Sequence, residues 1–205
     1  NAWKQAREQL DLLVVVEPTM TETAELADYV LPTTCGYESW QVAGFPKRSP
    51  QIDVQVRPPV VAPRGEALPE PEIYARLVEA MGLVPAPPAR LFELAERFGE
   101  PGGVAAYFAE LQSAAGGSQA SILFWGYRTL GPKLEDPSLV AIFAQSISNA
   151  VERRESVLRV LGAEWREADP FELAAEIYRR ILAHPEGVEI ARSSEDGNLE
   201  AHVGY

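Results

Sequence analysis

The stretch of this chain best suited to chemistry runs Val14-Val15-Val16-Glu17-Pro18-Thr19-Met20-Thr21-Glu22-Thr23. An apolar run that ends in a carboxylate and then offers hydroxyls at alternate positions suits a nucleotide. The carboxylate can accept paired hydrogen bonds from ribose hydroxyls, or from the N1–H and exocyclic amine of guanine, and the hydroxyls can donate to a phosphate. The same residues also have a purely structural use, because threonines cap helices and an acid complements the dipole at a helix start. No Gly-x-Gly-x-x-Gly loop is present to cradle a pyrophosphate, so spacing alone leaves both uses open.

Other chemistry is sparse. One cysteine, Cys35, and two distant histidines, His184 and His202, cannot supply a four-ligand structural zinc site or an internal disulfide. There is no Ser/His/Asp set, no close Cys/His pair, no His-Glu-x-x-His and no phosphate-loop motif. His184 reads as a helix-end residue and His202 as a strand residue. The formal net charge of −12 argues against a nucleic-acid partner or an anionic membrane surface, both of which need clustered Lys and Arg. No apolar run approaches about 18 residues, so no direct membrane insertion is expected. The chain begins with Asn and ends in the alternating NLEAHVGY, which reads as a piece of a longer polypeptide ending on a strand just begun.

The elements that must position Glu17 follow from periodicity. Residues 2–10 read as a short helix. Residues 12–16 form an apolar run with the pattern of a parallel strand covered on both faces. Thr19 or Thr21 then caps a short helix to about Ala27, with Thr19 and Glu22 spaced for a capping box. Residues 29–31 make a second strand closed by Pro32, completing a minimal βαβ unit. Residues 33–50 lose periodicity and read as a long loop, and 51–57 alternate as a strand. A Pro-rich stretch leads to a helix over 70–81 that Gly82 ends.

Beyond VPAPPA the apolar spacing becomes helical almost to Leu182. Leu91, Leu94, Ala95 and Phe98 share one face, and Val104, Tyr107, Phe108 and Leu111 another. Asp136-Pro137 and Asp169-Pro170 each signal a helix start, the second with Glu172 completing a capping box. The first of these helices runs from Pro137 to about Leu161 and bends or breaks near Asn149. The short run SILFWGY fits a buried strand or a helix equally.

The core TETAELADYVLP, Thr21 to Pro32, within LDLLVVVEPTMTETAELADYVLPTTCGYESW, resembles a segment of the molybdopterin oxidoreductases of the dimethyl sulfoxide reductase family. There a strand leads to D-x-x-x-T-E-T-A-x-x-A-D-x-V-L-P and on to a Glu-Lys loop. GEALPEPEIYARLVEAMG continues the likeness, and YRTLGP does so more loosely. The resemblance implies an α/β fold class: a Rossmann-like parallel-sheet fragment over 1–84, a mainly helical region over 85–186, and strands over 187–205 leading into a β-barrel domain outside this sequence. It implies one bis(molybdopterin guanine dinucleotide) cofactor with molybdenum or tungsten, bound at its guanosine end by this segment. It also implies an iron–sulfur cluster in an earlier part of the protein and electron-transfer subunits as partners. The expected location is cytoplasmic, any export signal lying outside the sequence.

Carried over position by position, the resemblance makes Val16, Glu17, Thr21, Glu38 and Arg48 the cofactor-binding residues and assigns no catalytic or metal-ligating residue. Two positions depart from the pattern. Glu17 stands for the usual Asp, one methylene longer, and Ser39 stands for the Lys of the loop, a lost charge for which Arg48 or Lys47 compensates. Tyr37 and Trp40 can pack over the nucleotide base or pin the loop to the protein body. The family's metal ligand, where it is a cysteine, lies in an earlier domain, which makes Cys35 a bystander. The same departures fit a second reading, a metal-free structural relative such as the large iron–sulfur subunit of respiratory complex I.

Overall fold

The computed structural model describes residues 2–44 and 51–192. The protein is mixed α/β, with a short parallel sheet, a mainly helical region and an antiparallel sheet. It divides into two compact units, Asn1–Trp40 with Pro58–Val84, and Gln41–Arg57 with Pro85–Tyr205.

In the first unit, α1 (Ala2–Arg7) precedes β1 (Val14–Glu17), and β2 (Tyr29–Pro32) pairs parallel to β1 in the register Val14↔Tyr29 to Glu17↔Pro32. The expected βαβ connection is only a 3-10 turn, Ala24–Leu26. So short a turn has no room for the Thr19–Glu22 capping box. Instead the Thr21 hydroxyl accepts the Ala24 N–H at 3.3 Å, and Ala24 is buried beneath it.

The expectation that β1 is covered on both faces is not met. Val14 is 41% exposed and no residue of β1 is fully buried, because the sheet of this unit has two strands, β1 and β2. Beyond Pro32 the chain continues the parallel pattern through a single bridge, Thr33↔Leu68. The Leu68 N–H donates to the Pro32 carbonyl and the Thr34 N–H to the Leu68 carbonyl. Helix α2 (Glu70–Met81) occupies the span its periodicity predicts, ended by Gly82 in the left-handed region at φ 62°.

The second unit begins with a strand that the sequence does not announce. Within the expected loop over 33–50, β3 (Gln41–Gly44) forms and pairs antiparallel with β4 (Gln51–Arg57). Strand β4 also pairs antiparallel with β5 (Val188–Arg192), giving the order β3-β4-β5. The central strand buries Ile52 and Val56, as its alternation requires.

The helices are α3 (Ala89–Glu96), α4 (Gly103–Ala115), α5 (Gln119–Thr129), α6 (Val140–Glu152), α7 (Arg154–Leu161) and α8 (Pro170–Ala183). SILFWGY lies in α5, decided by Ser118, whose hydroxyl accepts the Ser121 N–H and caps the helix. The region from Pro137 to Leu161 opens with a 3-10 turn, Pro137–Leu139. It breaks at Arg153, four residues later than expected, where φ −128° and ψ 33° leave the helical region. Asp169 forms the full capping box with Glu172.

The core of this unit is aromatic. Phe143, 1% exposed, meets Phe98 at 5.0 Å, Tyr178 at 5.1 Å and Phe108 at 5.8 Å between ring centroids, the last pair stacked. Among the described residues no helix is long and apolar enough to cross a membrane.

Candidate functional site

The candidate site is the carboxyl end of β1 and β2, where chain direction places the loops of a parallel sheet on one side. Two ties set the strand pair, one at each end. At the amino end, opposite the site, Asp28 Oδ2 accepts the Leu13 N–H at 2.8 Å, and its Oδ1 accepts from the Arg7 guanidinium at 2.5 Å. Arg7 reaches further, donating to the Leu26 carbonyl at 2.9 Å. The acid of the Ala-Asp pair in TETAELAD is therefore spent on aligning the two strands, a role the sequence reading did not assign. A carboxylate directly before a strand, with an arginine closing the preceding helix, was the available signal.

At the carboxyl end, the Glu17 carbonyl accepts the Thr33 N–H, and the buried Thr33 donates its hydroxyl to the Leu68 carbonyl at 3.0 Å. Glu17 itself is half-buried opposite Pro32. Among the described residues its carboxylate takes no hydrogen bond and no ion pair. Val16 is half-buried and paired with Leu31 in the ladder. After Glu17, the backbone N–H groups of residues 19–23 likewise have no acceptor among the described residues. An acid and a run of backbone amides without partners among the described residues, with threonine hydroxyls beside them, can accept and donate hydrogen bonds to a ligand.

Glu38 behaves differently. Its Oε2 accepts the Cys35 N–H at 3.0 Å, its Oε1 accepts the Arg64 N–H at 3.2 Å, and its own N–H donates to the Cys35 carbonyl at 3.0 Å. Donation by Cys35, and after it the Arg64 N–H and charge, holds the Glu38 carboxyl below the usual carboxylate range, against the opposing effect of partial burial. Ser39 donates its hydroxyl to the Cys35 carbonyl at 3.2 Å, so the residue that departs from the family's lysine closes its own turn. Tyr37 is 63% exposed and its carbonyl accepts the Val60 and Val61 N–H groups.

The structure thus places Val16 and Glu17 together at the end of β1 and Thr21 on the turn that follows. Arg48 and Lys47 lie outside the described residues, as does His202. Cys35 is half-buried, and among the described residues no group of three or more His, Cys, Asp or Glu is placed to hold a metal ion. His184 follows α8 directly, with Nδ1 3.0 Å from Glu186.

Comparison with known proteins gives this segment its relatives. Residues 1–80 match the family model for molybdopterin oxidoreductases. Over 82 residues the chain is 34% identical to the probable oxidoreductase YyaE of Bacillus subtilis (strain 168). Over a stretch of the same length it is 40% identical to the F420-dependent formate dehydrogenase 2 subunit alpha of Methanococcus maripaludis. Each alignment takes in 40% of this chain and spans only 12% of the relative's length. No solved structure matches the chain. The likeness read from TETAELADYVLP therefore holds over residues 1–80.

Proposed function

We propose that this chain is part of a molybdopterin-dependent oxidoreductase and that the carboxyl end of β1 grips the guanosine end of a molybdopterin guanine dinucleotide. The observation that carries the reading is the half-buried carboxylate of Glu17, without a partner among the described residues, at the end of a parallel strand in the segment that matches the family. Glu17 accepts from the guanine edge or the ribose. The residue 19–23 amides and the Thr21 hydroxyl face the phosphates, and Val16 holds Glu17 in the ladder. Arg48 supplies positive charge to the same polyanion.

When bound, the cofactor supplies two-electron redox chemistry at molybdenum or tungsten, in a protein that carries an iron–sulfur cluster and electron-transfer partners elsewhere. The residues of this chain contribute orientation and binding energy. The full protein works in the cytoplasm.

The test is cofactor analysis of the full-length protein. Stoichiometric molybdenum or tungsten, with guanine nucleotide released on denaturation, is the expected result. Glu17→Gln should then weaken nucleotide retention about tenfold, the worth of one charge-assisted hydrogen bond. A preparation from metal-replete cells that holds neither pterin nor metal would refute the reading and favour the metal-free scaffold.

A further inference from the structure

We propose that Glu38 is a positioning residue: its carboxylate clasps the turn that leaves β2 to the strap of residues 60–64, and so fixes the wall of the site beside Glu17. This rests on the cofactor reading above for what the wall encloses, but the clasp itself is a matter of geometry. Both oxygens are engaged, one by the Cys35 N–H within the turn and one by the Arg64 N–H, 26 residues further along the chain. The same strap is held a second time by the Tyr37 carbonyl, which accepts the Val60 N–H at 2.9 Å and the Val61 N–H at 3.2 Å.

The turn is anchored to the site through β2. Cys35 lies three residues beyond Pro32, which is paired with Glu17, and the intervening Thr33 and Thr34 are bonded to Leu68. Strap, turn and strand end therefore form one hydrogen-bonded frame. Glu38 is the side chain that closes it, giving one oxygen to each of two backbone donors on separate segments. Val60 and Val61 are 66% and 54% exposed, so apolar burial of the strap does little of this holding. Ser39 reinforces the assignment: with a short hydroxyl bonded to Cys35, the turn is shaped from within.

Trypsin reports the clasp, because the exposed Arg64–Gly65 bond lies at its edge. The experiment measures cleavage after Arg64 in the full-length protein without added nucleotide, by mass spectrometry against cleavage sites elsewhere in the chain. Guanine nucleotide retained on purification is measured in parallel. Cleavage of a locally opened segment follows the population of the open form. Glu38→Ala should therefore speed it about tenfold. Glu38→Gln, which keeps one acceptor oxygen, should fall between. Nucleotide retention should fall in the same order across the Glu38 variants. Unchanged cleavage in Glu38→Ala overturns the clasp, and faster cleavage with full nucleotide retention overturns its positioning role. A wild-type protein without nucleotide, in which Glu38→Ala still speeds cleavage, overturns the cofactor reading and leaves the clasp standing.

Discussion

Replacing Asp28 with alanine removes two acceptors at once. Its Oδ2 takes the Leu13 N–H at 2.8 Å and its Oδ1 the Arg7 guanidinium at 2.5 Å, so one side chain ties the approach to β1, the start of β2 and α1. The Arg7 and Asp28 side chains are 21% and 36% exposed, and solvent screening holds the ion pair to about 0.5 kcal/mol. The charge-assisted bond from Leu13 adds about 1.5 kcal/mol. Their sum, about 2 kcal/mol, is roughly a 30-fold change in the local opening equilibrium. Asp28→Asn keeps an oxygen for the Leu13 N–H but loses the ion pair and the charge assistance of that bond, about 1 kcal/mol together and roughly a fivefold change. Amide hydrogen exchange reads this directly. Amides of β1 and β2 should exchange about 30-fold faster in Asp28→Ala and roughly fivefold faster in Asp28→Asn, while those of β4 and β5, in the other unit, stay as they were. Unchanged exchange in Asp28→Ala would refute the reasoning. So would full additivity of Asp28→Ala and Arg7→Ala, since paired residues must couple.

Four further outcomes concern the helical unit. The Glu176 carboxyl is held below its ordinary 4.5 by hydrogen bonds first from Arg179 and then from Arg180. A depressed folded value stabilises above the unfolded one, so thermal stability should be full above about pH 4.5 and fall as acid protonates the folded group, a loss that Glu176→Gln should blunt. Tyr107 and Thr129, 0% and 1% exposed, share a hydrogen bond of 2.7 Å, and Tyr107→Phe should cost about 1–2 kcal/mol in urea unfolding. In ultraviolet pH titration the Tyr107 phenol, pushed up to about 12 by burial, should ionise after the exposed tyrosines. A Cβ added at Gly103 would sit 2.0 Å from the Arg97 carbonyl oxygen, which is backbone and cannot swing aside. Gly103→Ala should therefore cost about 2–3 kcal/mol of stability, read as a lower midpoint in urea unfolding.

Local signals were read well from the sequence, and partnerships were not. Gly82 and the Asp169–Glu172 box announce their helix ends because capping is decided by side chains within a few residues. The parallel pair β1–β2 was legible for the same reason, with its edges displaced by a residue or two. Strand β3 was invisible: Gln-Val-Ala-Gly carries one β-branched residue and is a strand only because β4 lies beside it. Strand β5 joins the same sheet from more than 130 residues away. At the candidate site, the end of an apolar run pointed to Glu17, which the structure places at the end of β1. The duties of Glu38 left no mark in residue type, because its partners are backbone N–H groups that any residue but proline carries.

The excursion of residues 41–57 has a practical consequence. The polypeptide passes between the units three times, at 40–41, 57–58 and 84–85, so the unit bearing Glu17 is discontinuous along the gene. Truncation at residue 84 would strand a hairpin whose Ile52 and Val56 are 7% and 2% exposed when sheltered by their own unit. An expression plasmid for a self-standing fragment bearing Glu17 should replace the excursion with a short glycine–serine bridge between Trp40 and Pro58.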